Sequence, residues 1–149
     1  MIVNDRVDLA LLSAASGVHV GQEDLPPSVV RTLLGPDAVV GYSTHTVDQI
    51  ERAAGEPVSY IAIGPVFGTR TKDTGYSAVG LDLVTEAVKR ASGRPVVAIG
   101  GITLATAPDV WNAGASAVAV ITDLLVGGDP RGRVASYNRL ASATRKLGG

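Results

Sequence analysis

Residues 60–72 read YIAIGPVFGTRTK. An apolar, β-branched run stops at a glycine and is followed by a second glycine, two threonine hydroxyls, an arginine and a lysine. That is the form of a buried strand with chemistry at its C-terminal end, where α/β proteins gather their ligands. Moving outward, the same form recurs at MIV (1–3), VHV (18–20), AVVGY (38–42), PVVAIG (95–100) and AVAVI (117–121). A stretch of helical period follows each strand candidate. VDLALLSAA places apolar residues on one face, and LPPSVVRTLLG opens on prolines and stops at Gly35. TVDQIERAAG, LDLVTEAVKRASG and LATAPDVWNAG each end in glycine, which predicts left-handed caps. The last helix is predicted over about residues 132–146.

Apolar strands alternating with helices predict a parallel sheet with right-handed crossovers. Six βα units suit either an open doubly wound sheet or most of an eight-stranded barrel. The strand ends favour the barrel. Asn4-Asp5 closes the first strand, GQED (21–24) the second, STHT (43–46) the third, GTRTK (68–72) the fourth, Gly100-Gly101 the fifth and Ile121-Thr122 the sixth. An open sheet uses one switch point and leaves most of these ends idle, whereas a barrel brings them all round one mouth.

The 149 residues suit one domain, 1–149, with no composition break that would mark a linker. Nearly half the residues are apolar, yet no run is long enough to span a bilayer, and the first twelve lack the pattern of a secretion signal. A net charge of −1 without a basic block offers no footprint for nucleic acid or an anionic membrane. No cysteine is present, so disulfides, thiolate metal sites and a cysteine nucleophile are excluded; a cytoplasmic setting is the default reading.

Asp5 and Asp24 lie one βα unit apart, so parallel neighbours would bring two hard carboxylates together, as Mg²⁺ shared with a substrate phosphate requires. Taken alone, each reads more simply as a loop residue, with Asp5 or Asp24 serving as a helix N-cap. GPVFGTRTK and the glycine-containing loop DTGYSAVG carry the backbone amides, hydroxyls and ammonium that phosphate binding uses, although such loops also serve as plain surface connections. The glycines of AIGG would let an oxyanion approach the backbone. His19, in mid-strand, reads as an interior or mouth-lining histidine, and His45 is better placed to touch a substrate. Two isolated histidines make no metal pair, and no G-x-S-x-G supports a hydrolase triad. Trp111 falls on the apolar side of its helix.

NDRVDLAL, GVHVGQEDLP, GYSTHT, YIAIGPVFGTRTK, PVVAIGGIT and GASAVAVIT, in this order and spacing, resemble the thiamine phosphate synthase family over essentially the whole chain. The resemblance implies a (β/α)₈ TIM barrel and the joining of a hydroxymethylpyrimidine diphosphate to a thiazole phosphate, with Mg²⁺ and release of diphosphate. By the same resemblance Asn4 and Ser43 would lie at the pyrimidine, Asp5 and Asp24 would hold Mg²⁺, and Lys72 would bind the diphosphate, with Ser43 and Lys72 the catalytic pair. Thr69, Arg70, Thr71, Gly101, Ile121 and Thr122 would receive the thiazole phosphate. Catalysis would then be positioning and electrostatics, with charge on the departing diphosphate neutralised so that a delocalised pyrimidine cation can form.

Thr122 stands where the family commonly has serine, and Gly68 replaces a frequent proline. Family members carry two further βα units, the second ending in a Gln-x-Arg-x-Lys cluster, so the resemblance implies a chain beginning at the third strand. The expectation is six βα units whose outer strands expose edges that invite pairing with another chain. Two other readings stay open: a non-catalytic remnant, and a thiazole tautomerase on the same barrel, against which Asp5, Asp24 and GQED argue.

Overall fold

Six strands form one all-parallel sheet in the order β1-β2-β3-β4-β5-β6. They are β1 (Ile2–Asn4), β2 (Gly17–Val20), β3 (Val39–Thr44), β4 (Tyr60–Ile63), β5 (Val96–Ile99) and β6 (Ala117–Ala119). Helices α1 (Val7–Leu12), α2 (Pro27–Leu34), α3 (Val47–Gly55), α4 (Gly80–Arg90), α5 (Ala107–Asn112) and α6 (Pro130–Leu147) alternate with them, and a kinked 3₁₀ segment, Thr122–Gly128, leads into α6. This computed structural model describes residues 1–68 and 75–147. Every crossover leads to the next strand in the same direction, so the order never reverses as it does in a doubly wound sheet. The ends of β1 and β6 border one cavity, so the sheet curls as part of a barrel, which settles the choice left by the strand pattern.

The register separates the two faces. Pairing Asn4 with His19, His19 with Gly41, Gly41 with Tyr60, Ser43 with Ala62 and Ile99 with Ala119 puts these residues on the concave face. The alternate residues face the helices and make the core: Val18, Val20, Val40, Ile61, Ile63 and Ala98 are fully buried against Val30, Ile50, Val84 and Val110 of α2 to α5. Thr44, also fully buried on this face, donates its hydroxyl to Ala62 O (2.8 Å). Trp111 is half-buried against the same core.

Glycines allow the concave side to close up. A Cβ on Gly17 would lie 1.9 Å from the carbonyl oxygen of Val39, and one on Gly41 would lie 2.1 Å from the Tyr60 ring. Glycine caps appear after α2 (Gly35, φ 87°) and α5 (Gly114, φ 100°), and Gly93 is left-handed beyond the end of α4. Gly55 departs from the expected pattern. α3 instead ends with Glu56 in extended conformation, its N–H bonded to Ala53 O. The 3₁₀ segment has no periodic signature in the sequence, and Thr122 begins it rather than ending a strand.

At the end of the barrel opposite the cavity, two guanidinium groups tie the connections together. Arg31 donates to the carbonyls of Gly35, Pro36, Ala38 and Pro57, and Arg94 to those of Ala54, Glu56 and Val58. Apart from that of Ala54, in the last turn of α3, these carbonyls lie in the helix-to-strand loops outside the ladder, so each arginine supplies donors to groups that the sheet does not.

Candidate active site

The C-terminal strand ends surround a cavity of about 1080 Å³. Asn4, Asp5, Asp24, Ser43, Gly101, Ile121 and Thr122, all expected from the sequence, line it, together with His19, Gln22, His45, Tyr76 and Asp123. Thr69, Arg70, Thr71 and Lys72 lie outside the described residues.

Asp5 follows β1 with φ 61°, a left-handed conformation that aspartate tolerates better than most residues. It is fixed there by its own N–H, which donates to His19 O on β2 (2.8 Å), and by Arg6 N–H, which donates to Asn4 O (2.7 Å). Strained backbone held by its neighbours is a feature of functional sites. Asp24 closes the turn after β2. Its Oδ2 accepts from Gly21 N–H (2.7 Å) while its own N–H donates to Gly21 O (3.3 Å). It is therefore a turn carboxylate at the mouth and not the cap of α2, whose N-cap is Pro26.

Two carboxylates on adjacent strand ends fit Mg²⁺, which is typically held by one or two carboxylates while waters and substrate phosphate complete the shell. Among the described residues no group of three or more His, Cys, Asp or Glu could hold a metal ion, so a closed all-protein site of the zinc type finds no donor set.

The middle of the mouth is a hydrogen-bonded layer. His19 lies with Nε2 2.8 Å from Ser43 Oγ and Nδ1 2.9 Å from the Tyr60 hydroxyl. Gln22 reaches from the β2–α2 turn and donates to Ser43 O (2.6 Å). His45 donates from Nδ1 to Gly64 O (2.5 Å), which fixes its tautomer, and stacks on Tyr76 with ring centroids 3.9 Å apart. Gln49 helps hold this corner by accepting from His45 N–H (2.7 Å), while its own N–H donates to Thr46 Oγ1 across the start of α3.

The diglycine after β5 has a packing reason of its own. Gly100 and Gly101 both have positive φ, and the chain after β4 lies directly on them, with Val66 N–H donating to Ile99 O and Phe67 N–H to Gly100 O. A Cβ on Gly101 would lie 2.5 Å from Gly68 O. Glycine here docks the β4–α4 connection against the end of β5.

Asp123 was not anticipated. Adjacent to Thr122, it is buried and accepts from Arg133 Nε and Nη2 (3.0 and 2.8 Å), from the Tyr137 hydroxyl (2.6 Å) and from Leu104 N–H (3.3 Å). Arg133's paired hydrogen bonds hold its carboxyl below the ordinary range, against the opposing effect of burial. Asp123→Asn should lower stability by about 2 kcal/mol, the scale of a charge-assisted hydrogen bond. Because the folded pKa is depressed, this contribution is complete above the ordinary aspartate pKa of about 3.9 and is lost as pH falls through the folded value. Urea unfolding at neutral pH should therefore separate the two proteins and in strong acid should not; coincident neutral midpoints would refute the assignment.

The chain is similar to known proteins over most of its length. The family described as thiamine monophosphate synthase matches residues 1–124. The chain belongs to that family. It is 47% identical over 137 residues to a thiamine-phosphate synthase of Koribacter versatilis, covering 92% of this chain and 64% of that relative. It is 40% identical over 147 residues to thiamine-phosphate synthase 1 of Aquifex aeolicus, covering 99% of this chain and 67% of the relative. Thiamine phosphate pyrophosphorylase from Pyrococcus furiosus superposes with a TM-score of 0.86 at 30% identity, over 96% of this chain and 67% of that one. The chain thus spans about two thirds of these proteins. A KDPGal structure at 15% identity and TM-score 0.72 shares the fold alone. Among the described residues no helix is long and apolar enough to cross a membrane.

Proposed function

We propose that this chain carries the active site of a thiamine phosphate synthase, joining a hydroxymethylpyrimidine diphosphate to a thiazole phosphate and releasing diphosphate. The observation that supports this reading best is the meeting of Asp5, Asp24, Ser43 and the glycine-rich end of β5 around one cavity, in a chain of this family. Asp5 and Asp24 would hold Mg²⁺, which when bound supplies positive charge to the diphosphate. Ser43, fixed through His19 and Gln22, orients the pyrimidine beside Asn4. Gly101, Ile121 and Thr122 present backbone and hydroxyl to the thiazole phosphate. The half-apolar wall formed by Ile99, Ile102, Ala119 and Val120 keeps water away from a cationic carbon as it forms. The carbon–oxygen bond to diphosphate breaks, the thiazole nitrogen supplies the electron pair of the new carbon–nitrogen bond, and no protein nucleophile takes part.

In this reading Thr69, Arg70 and Thr71 would bind the thiazole phosphate and Lys72 the diphosphate. The coupling assay with both substrates and Mg²⁺ tests the whole reading: product is expected, and failure to form it under any divalent metal would refute it. Lys72→Ala is expected to weaken pyrimidine-diphosphate binding at least about tenfold, the cost of a charge-assisted contact, with thiazole-phosphate binding little changed. Equal weakening of both, read by titration calorimetry, would mean that the loop divides its two phosphates differently.

A further inference from the structure

We infer that Tyr60 is a positioning residue that sets the tautomer of His19 and thereby makes the Ser43 hydroxyl a hydrogen-bond donor toward the cavity. Three residues from three neighbouring strands form a line on the concave face: Tyr60 Oη to His19 Nδ1, 2.9 Å, then His19 Nε2 to Ser43 Oγ, 2.8 Å. Only His19 and Ser43 border the cavity, and Tyr60 stands behind them.

The direction of the line follows from its two ends. Burial pushes the Tyr60 phenol pKa up, so it keeps its proton, and among the described residues its hydroxyl meets no polar group other than His19 Nδ1. The hydroxyl is half-buried and turned onto Nδ1, and a hydroxyl hydrogen drawn away from water without an acceptor is costly, so the phenol donates to Nδ1. A neutral imidazole carries one N–H, which must then be on Nε2 and donates to Ser43 Oγ. Ser43 accepts that bond, so its own hydrogen turns away from His19 and into the cavity. With the opposite direction Ser43 would spend its hydrogen on the imidazole and offer a ligand only lone pairs. The site therefore presents a donor, which selects a ligand atom bearing a lone pair, such as a ring nitrogen of a pyrimidine; this last clause rests on the function proposed above.

Gly41 makes the arrangement possible. It sits between the two rings in the register, and a Cβ there would lie 2.3 Å from the Tyr60 hydroxyl and 2.5 Å from His19 Nδ1. The rings, 5.6 Å apart and inclined by 21°, meet across the space that glycine leaves.

Nitrogen-15 correlation spectra of the two imidazoles, taken in mildly alkaline buffer and assigned with His45→Gln, test the inference without any catalysis. The unsubstituted chain should show His19 with its hydrogen on Nε2 and a bare Nδ1; a hydrogen on Nδ1 would overturn it. Ser43→Ala should leave that tautomer in place, because it is imposed from the other side, and a switch would overturn it. Tyr60→Phe should release His19 to a mixture of tautomers, whereas an unchanged Nε2–H spectrum would show that something else sets it. In the coupling assay Tyr60→Phe should raise KM for the pyrimidine diphosphate about tenfold, the loss of one oriented hydrogen bond, and leave KM for the thiazole phosphate unchanged. A parallel rise in both would count against positioning. Absence of coupling in the unsubstituted protein would refute the proposed function and leave the spectra to decide the tautomer.

Discussion

Asp24→Asn and Asp5→Asn are each expected to lower the coupling rate by about 100-fold or more, about 2.7 kcal/mol of transition-state stabilisation. The substitutions are well matched to their positions. Asparagine tolerates the left-handed conformation of Asp5 as readily as aspartate does, and at residue 24 its side-chain oxygen can still accept from Gly21 N–H. The turns therefore survive and only charge is removed. Rates should recover partly at high Mg²⁺ if the carboxylates act by holding the ion, and on the proposed function chelation of divalent metal should stop coupling by the unsubstituted protein. Undiminished coupling in either variant, or coupling in the presence of chelator, would remove these aspartates from metal binding.

Gly17→Ala is expected to cost the fold about 4 kcal/mol or more, near the upper limit for a single substitution. The added methyl would lie 1.9 Å from Val39 O and 2.8 Å from Val39 Cα. Those atoms are backbone in the central sheet and cannot swing aside as a side chain can. β2 and β3 would have to part where Val39 N–H donates to Ser16 O (2.9 Å). Gly55→Ala is the control. Nothing lies within 4 Å of its Cβ position and its φ is not positive, so it should be neutral or stabilise by about 0.5–1 kcal/mol through helix propensity. Urea unfolding of the two variants checks both, and a Gly17→Ala protein within 1 kcal/mol of the control, by the ~1 kcal/mol centre of ordinary substitutions, would show that the strands adjust.

Local pattern was enough to read the six strands and most helix positions, because β-branched runs and helical period are written within a few residues. The polar strand ends likewise marked the mouth before any geometry was known. Other features depend on partners far apart in sequence. Tyr60 and His19 are 41 residues apart, and nothing local in YIAIG distinguishes a tyrosine that serves a histidine two strands away from one that fills the interior. Asp123 finds Arg133 and Tyr137 only because the 3₁₀ segment turns the chain back onto α6. The diglycine suggested an anion site, and its packing role became visible only with the chain after β4 lying across it. Gly55 shows the opposite error, a glycine read as a left-handed cap that is the last helical residue of α3, with extended Glu56 after it.

Arg31 and Arg94 have a consequence for how such a scaffold can change over time. They fasten three successive helix-to-strand connections at the closed end, using seven carbonyls that belong to none of the loops at the mouth. Alterations at the mouth therefore need not loosen these fastenings, and alterations to the fastenings gain no new chemistry. A lineage built this way can exchange one set of strand-to-helix loops for another and stay folded while its substrate changes.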